Sequence, residues 1–163
     1  MSGLEDRIAW LEAEVRRLVD EREILRVLQT YGYALDYGLI DEWADLWTED
    51  AVLHWPGKLT AAGVDDRAPI LGHAAIVEAC RMHTHAPDKF HKHMVVDARI
   101  AIDGDTATAE SMFQRLDSYA VGPQIRSFGR YLDTLARGAD GRWRIRERRL
   151  EREGKRPLEP GER

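Results

Sequence analysis

The sequence predicts a segregated α+β domain, with helices laid against one face of a curved, mainly antiparallel sheet. Two observations carry this expectation. Apolar residues recur at helical spacing from Leu4 to Cys80, and from Phe90 onward they alternate along strands instead. Turn pairs at Asp103-Gly104, Gly122-Pro123 and Asp140-Gly141 divide the second half into a meander. A chain of 163 residues fits one hydrophobic core, so a single domain is expected over 1–153, with 1–20 as an N-terminal helical extension and 154–163 as a flexible tail.

Leu4, Ile8, Leu11, Val15 and Leu18 are spaced four, three, four and three apart, a heptad seam on a helix otherwise rich in Glu, Asp and Arg. Such a seam needs a partner, either across its own domain or in a neighbouring subunit. A second helix carries Ile24, Leu25, Val27, Leu28, Tyr31, Ala34 and Leu35 on one stripe and stops at Gly38. Asp41 opens a third, short helix in which Trp43, Leu46 and Trp47 share a face until Thr48-Glu49-Asp50 ends it. Ala51 to Trp55 reads as a strand closed by Pro56-Gly57, and Lys58 to Leu71 as a loop suited to covering a pocket mouth. Gly72 to Met82 forms a fourth helix with Ile76, Val77 and Cys80 inward. In the first long strand, strict alternation puts Met94, Val96, Ala98, Ile100 and Ile102 on one face, and in the last it pairs Trp143 with Ile145.

Composition excludes several roles. A net charge of −5 and a pI near 5.7 give no general attraction to phosphate backbones, so no nucleic-acid partner is expected. The Arg-rich stretch from Arg142 to Arg156 is interrupted by Glu147, Glu151 and Glu153 and reads as solvated strand and tail. One cysteine, Cys80, allows no internal disulfide and no thiolate metal cluster within one chain. No apolar run approaches the length of a membrane span, and Met1 to Arg17 lacks the apolar core of a signal peptide. A cytoplasmic protein without a membrane partner is the expectation.

Asp36 lies four, eight and eleven residues after Gly32, Leu28 and Leu25, which puts a carboxylate on the apolar stripe. Burying it without a partner costs several kcal/mol, so a donor should meet it. The competing reading is a helix-end aspartate turned to water beside Gly38. His93, at the head of the first long strand, can donate one ring N–H to Asp36 and keep its other nitrogen as a general base. Strict alternation, however, groups His93 with His91, Asp97 and Arg99 on the polar face, and a bulge near the strand start would reverse that parity. The pairs His83/His85 and His91/His93 lack helical metal-ligand spacing and read as part of a solvated turn, so no metal is expected. No glycine-rich phosphate loop or serine elbow is present, and no cofactor is expected. Tyr33, Trp55, Met112, Tyr119, Phe128 and Tyr131 are the candidate substrate contacts, each readable also as plain core or surface.

The string from Glu23 to Trp55, with Tyr31, Asp36, Trp43 and Ala51-Val52-Leu53, resembles the opening of SnoaL-like proteins of the nuclear transport factor two-like superfamily. His93-Met94-Val95, Asp103 to Ala109, Gly129-Arg130-Tyr131 and Asp140 to Trp143 continue the resemblance in order, over about residues 4–150. It implies a conical α+β barrel enclosing a pocket. Within the superfamily the chain is similar to scytalone dehydratase, hexachlorocyclohexane dehydrochlorinase and bile acid 7α-dehydratase, whose His/Asp dyads match His93 and Asp36. The resemblance implies a cofactor-free lyase acting on a small cyclic or aromatic molecule. Its catalytic set would be His93, Asp36, Tyr31 and Arg130, where Arg130 reads alternatively as a sheet-surface residue. A dimer or trimer built on the exposed sheet face is also implied. The chain departs from the pattern at Trp55, where dehydratases carry a tyrosine, and at Arg115, where the bile acid enzyme carries an aspartate. An isomerase or polyketide cyclase using the same pair, and a non-catalytic ligand-binding module, remain the alternatives.

Overall fold

A computed structural model describes residues 2–55, 59–60, 63–64 and 68–156. The two N-terminal helical stripes join without a break into one helix, α1 (Ser2–Tyr37). Nothing between Leu18 and Ile24 interrupts it, because Val19-Asp20-Glu21-Arg22-Glu23 offers neither Gly nor Pro. The expected boundary between two helices is therefore absent, and only the buried face changes. From Ile24 onward, Ile24, Val27, Leu28, Tyr31, Ala34 and Leu35 are buried, whereas Leu4, Ile8, Leu11, Val15 and Leu18 are all exposed. The heptad seam does not pack on its own domain. The helix leaves the body at Asp20, whose carboxylate receives Arg137 Nη1 and Nη2 at 2.6 Å each and Trp143 Nε1 at 3.1 Å.

Gly38, at φ +66°, ends α1, and the N–H of Leu39 donates to the carbonyl of Ala34 at 2.9 Å, as in a Schellman cap. Helix α2 (Ile40–Ala44) buries Trp43 and is shorter than expected, since Trp47 already opens strand β1 (Trp47–His54). Thr48-Glu49-Asp50 thus belongs to a strand. Of the expected Lys58 to Leu71 loop, Leu59–Thr60 (β2) and Gly63–Val64 (β3) pair as a small hairpin, and Ile70–Leu71 (β4) pairs with β1. Pro56-Gly57, Lys58 and residues 61–62 and 65–67 lie outside the described residues, as do 157–163 of the expected tail. Helix α3 (His73–Arg81) buries Ile76, Val77 and Cys80 as its spacing requires.

Strands β5 (His91–Asp103), β6 (Thr106–Tyr119), β7 (Gly122–Arg137) and β8 (Trp143–Lys155) form the meander, and Gly154 lies within β8 instead of a frayed tail. The main sheet runs β4-β1-β8-β7-β6-β5. All its neighbours are antiparallel except β1 against β8. It curves around α1 without closing, so the architecture is an open α+β cone. Among the described residues, no helix is long and apolar enough to cross a membrane.

Two bulges set which side chains reach the interior. In β5 the pairing slips between Val96 and Arg99, and Asp97 sits at φ +52°. Strict alternation fails there. His91, His93 and Val95 turn inward with Ala98, Ile100 and Ile102, while Met94 is exposed. In β8 the pairing slips between Ile145 and Glu147, which turns Arg148 inward. The Arg-rich strand is therefore not simply solvated. Arg148 is fully buried, donating Nε and Nη2 to the buried carboxylate of Asp133 at 2.7 Å each. Its guanidinium lies 4.1 Å from the Tyr31 ring and 4.3 Å from the Tyr131 ring, stacked between α1 and β7.

Removing one member of a buried ion pair leaves the other charge without compensation. Asp133→Ala should lower unfolding stability by about 3–5 kcal/mol, whereas Asp133→Leu with Arg148→Met should lower it much less. Denaturant titration of the three proteins checks this ordering.

Candidate active site

A close approach between α1 and β5 builds the site. A side-chain carbon at Gly32 would overlap the backbone carbonyl of His93, so the helix can lie this near the strand only with glycine there. One turn later Asp36 faces the same strand. Its Oδ2 accepts the backbone N–H of His93 at 2.8 Å, and its Oδ1 lies 2.6 Å from His93 Nδ1. With Asp36 as carboxylate, Nδ1 carries the hydrogen and Nε2 is the nitrogen left with a free lone pair.

His93 lines a small cavity of about 70 Å³, together with Tyr31, Trp55, Phe113, Arg115, Ser127, Tyr131, Leu150 and Arg152. Aromatic side chains supply much of the wall. Tyr131 stacks on Phe113 at 4.9 Å and meets Tyr31 edge-on at 5.7 Å. Burial pushes the Tyr31 hydroxyl up to about 12 and that of Tyr131 well above its usual value, so both stay protonated near neutral pH. The Tyr131 hydroxyl is buried without a hydrogen-bond partner among the described residues. Arg115 is held by Asp117, with Nε to Oδ1 at 2.7 Å.

Of the sequence-selected residues, the structure brings together Asp36, His93, Tyr31, Trp55 and Tyr131. It separates the others from the cavity. Tyr33 is exposed on α1, and Met112, Phe128 and Arg130 face outward because they alternate with inward Phe113 and Tyr131. Arg130 is engaged on that outer face by Glu110 at 2.9 Å, Glu151 at 2.7 Å and Glu153 at 3.2 Å. Tyr119 lies under the Arg156 guanidinium and does not line the cavity. Sequence reasoning missed Gly32, Ser127, Arg148, Arg152 and Asp133 as parts of the site or its support. The available signal was a glycine inside a strong helical stripe; strict alternation from Trp143 and Ile145 marks Arg148 as outward.

The histidines also differ from the expected solvated turn. His91 is buried with neither ring nitrogen hydrogen-bonded among the described residues, and its Nε2 lies 3.4 Å from Asp36 Oδ1. The His83 ring packs 4.9 Å from His91 and 5.5 Å from His93. Burial, with smaller repulsion from neighbouring cations that include Arg115, brings His83 and His91 down to about 4. Both are neutral near pH 7. Asp36, His91 and His93 offer donor atoms within 4.8 Å of one another, a spacing compatible with one cation. Such an ion would have to compete with both hydrogen bonds that His93 makes to Asp36.

Residues 16–149 match the family model of the SnoaL-like domain. No curated protein sequence matches. Among solved structures, an NTF2-like protein with a cystatin-like fold from Novosphingobium aromaticivorans shares 26% identity at a TM-score of 0.72, over 85% of each chain. A Catenulispora acidiphila protein in complex with S-DNPA shares 27% identity at a TM-score of 0.61, over 88% of this chain and 94% of that one. A scytalone dehydratase-like protein, also from Novosphingobium aromaticivorans, shares 21% identity at a TM-score of 0.65, over 88% of this chain and 90% of that one, and bears on the fold alone.

Depressed histidines give a pH signature. Between about pH 4 and 6.5, His83 and His91 bind protons in the unfolded chain but not in the folded one, so stability falls as pH falls through that window. At pH 5.5 unfolding should take up about two protons through these two residues, and His91→Leu should remove about one. Unfolding free energy measured against pH reads this uptake directly from its slope.

Proposed function

The chain belongs to the SnoaL-like domain family, and on that premise we propose that it is a cofactor-free lyase that eliminates water, or a comparable leaving group, from a small cyclic or aromatic substrate. The observation that carries the reading is the two-point grip of Asp36 on His93 beside a cavity that His93 lines. The bond from Nδ1 orients the imidazole while the backbone bond fixes the carboxylate, which leaves Nε2 as the base.

His93 Nε2 takes a proton from a carbon next to an electron-withdrawing group. The C–H electron pair becomes the new double bond as the C–O bond breaks. The imidazolium, stabilised by Asp36, returns its proton to the departing oxygen, so water leaves and neutral His93 is restored. The protonated Tyr31 and Tyr131 hydroxyls are candidate donors to a substrate oxygen. Arg115, which is paired with Asp117, and Arg152 place guanidiniums in the cavity wall, and among the described residues no carboxylate lines it. That favours a substrate that carries negative charge or develops it, as an enolate does. Arg130 has no part in this reading, since it stands on the outer face.

The test is turnover of a panel of cyclic β-hydroxy carbonyl compounds, with and without a carboxylate. His93→Ala and Asp36→Asn should each lower kcat at least about a hundredfold. Activity should survive a chelator. Loss with chelator and recovery with a divalent cation would overturn the base assignment in favour of a metal held by Asp36, His91 and His93. Double-bond migration or ring closure without water loss points to an isomerase or cyclase, and saturable binding without turnover points to a binding module.

A further inference from the structure

We infer that the N-terminal half of α1 pairs with the same segment of a second copy of this chain as a parallel, two-stranded coiled coil. Leu4, Leu11 and Leu18 occupy the d positions of a heptad, and Ile8 and Val15 the a positions. All five are exposed, from 47% at Ile8 to 67% at Leu4. Isolated apolar residues on a surface need no account, but five in register along about 20 Å of helix form a continuous stripe. The choice of residues is selective: β-branched side chains at a with leucine at d favour two parallel strands over three or four.

The flanking charges select the same arrangement. In a parallel pair each g residue faces the e residue five positions later in the partner, which sets Arg7 against Glu12 and Glu21 against Arg26. The third such pair, Glu14 with Val19, carries no repulsion. An antiparallel pairing that layers Ile8 against Leu18 instead sets Glu12 and Glu14 against their own copies. Two heptads are short for a free coiled coil, yet this segment is not free. Its helix is already nucleated by the buried half of α1 and anchored at Asp20, so the ordering cost that defeats short peptides is largely absent. Residues 2–15 also precede the stretch that matches the SnoaL-like family model, 16–149.

Single cysteines read both pairing and direction, because the native Cys80 is buried. Under mild oxidation of the full chain at micromolar concentration, Ile8→Cys and Leu18→Cys should each form a disulfide-linked dimer on its own. Adding Leu11→Asp should cut the yield at least tenfold, while Ala13→Asp, the same charge on the opposite helix face, should leave it unchanged. Absence of cross-linking in both single variants overturns the inference, as does linkage only in a mixture of the two, which marks an antiparallel pair. Yields insensitive to Leu11→Asp mark chance collision and overturn it equally. None of these readouts depends on turnover, so the pairing and the lyase reading fail separately.

Discussion

The arrangement depends on how near one helix comes to one strand edge. Gly32 lets α1 lie against the backbone of His93, and that contact places Asp36 within reach of both the amide and the ring of the same histidine. A longer separation would leave a buried carboxylate without donors, which the interior does not tolerate. The hydrogen bonds and the close packing therefore enforce each other. Gly38 and its cap then stop the helix directly after Asp36, and the N–H of Ala86 donates to the Asp36 carbonyl, pinning the loop that precedes β5.

A second constraint lies behind the first. Arg148 and Asp133 are buried as a pair and sandwiched by Tyr31 and Tyr131. Burial alone would disfavour the guanidinium's charge, and the adjacent carboxylate reverses that effect. The stack ties α1 to β7 and β8. The two tyrosine rings that hold the arginine also form part of the cavity wall, so the support and the wall share the same side chains.

Much of this was legible in the residues. Helical spacing gave α1 and α3, turn pairs gave the meander, and the position of Asp36 on an apolar stripe gave a buried carboxylate. Strand parity was the weak step. A period of two is lost at any bulge, so Asp97 reversed the expected faces of β5 before the bulge and brought His93 inward, which alternation alone had placed outward. The same rule, applied to β6 and β7, separates Met112 from Phe113 and both Phe128 and Arg130 from Tyr131, because residues an odd number of positions apart on a regular strand point to opposite faces. The bulge in β8 hid Arg148 among residues that composition alone reads as solvated. The junction of the two N-terminal stripes was hidden for another reason: periodicity shows which face is apolar and does not show whether the helix stops between stripes.

The continuity of α1 also fixes an angular phase. Each residue turns the helix by about 100°, so inserting or deleting one residue between Leu18 and Ile24 would swing the outer leucine stripe a quarter-turn or more around the axis relative to Asp36. Every local motif would remain intact. Natural variation in this connector should therefore preserve its length more strictly than its identity, since the number of residues sets the direction in which a whole neighbouring body would lie.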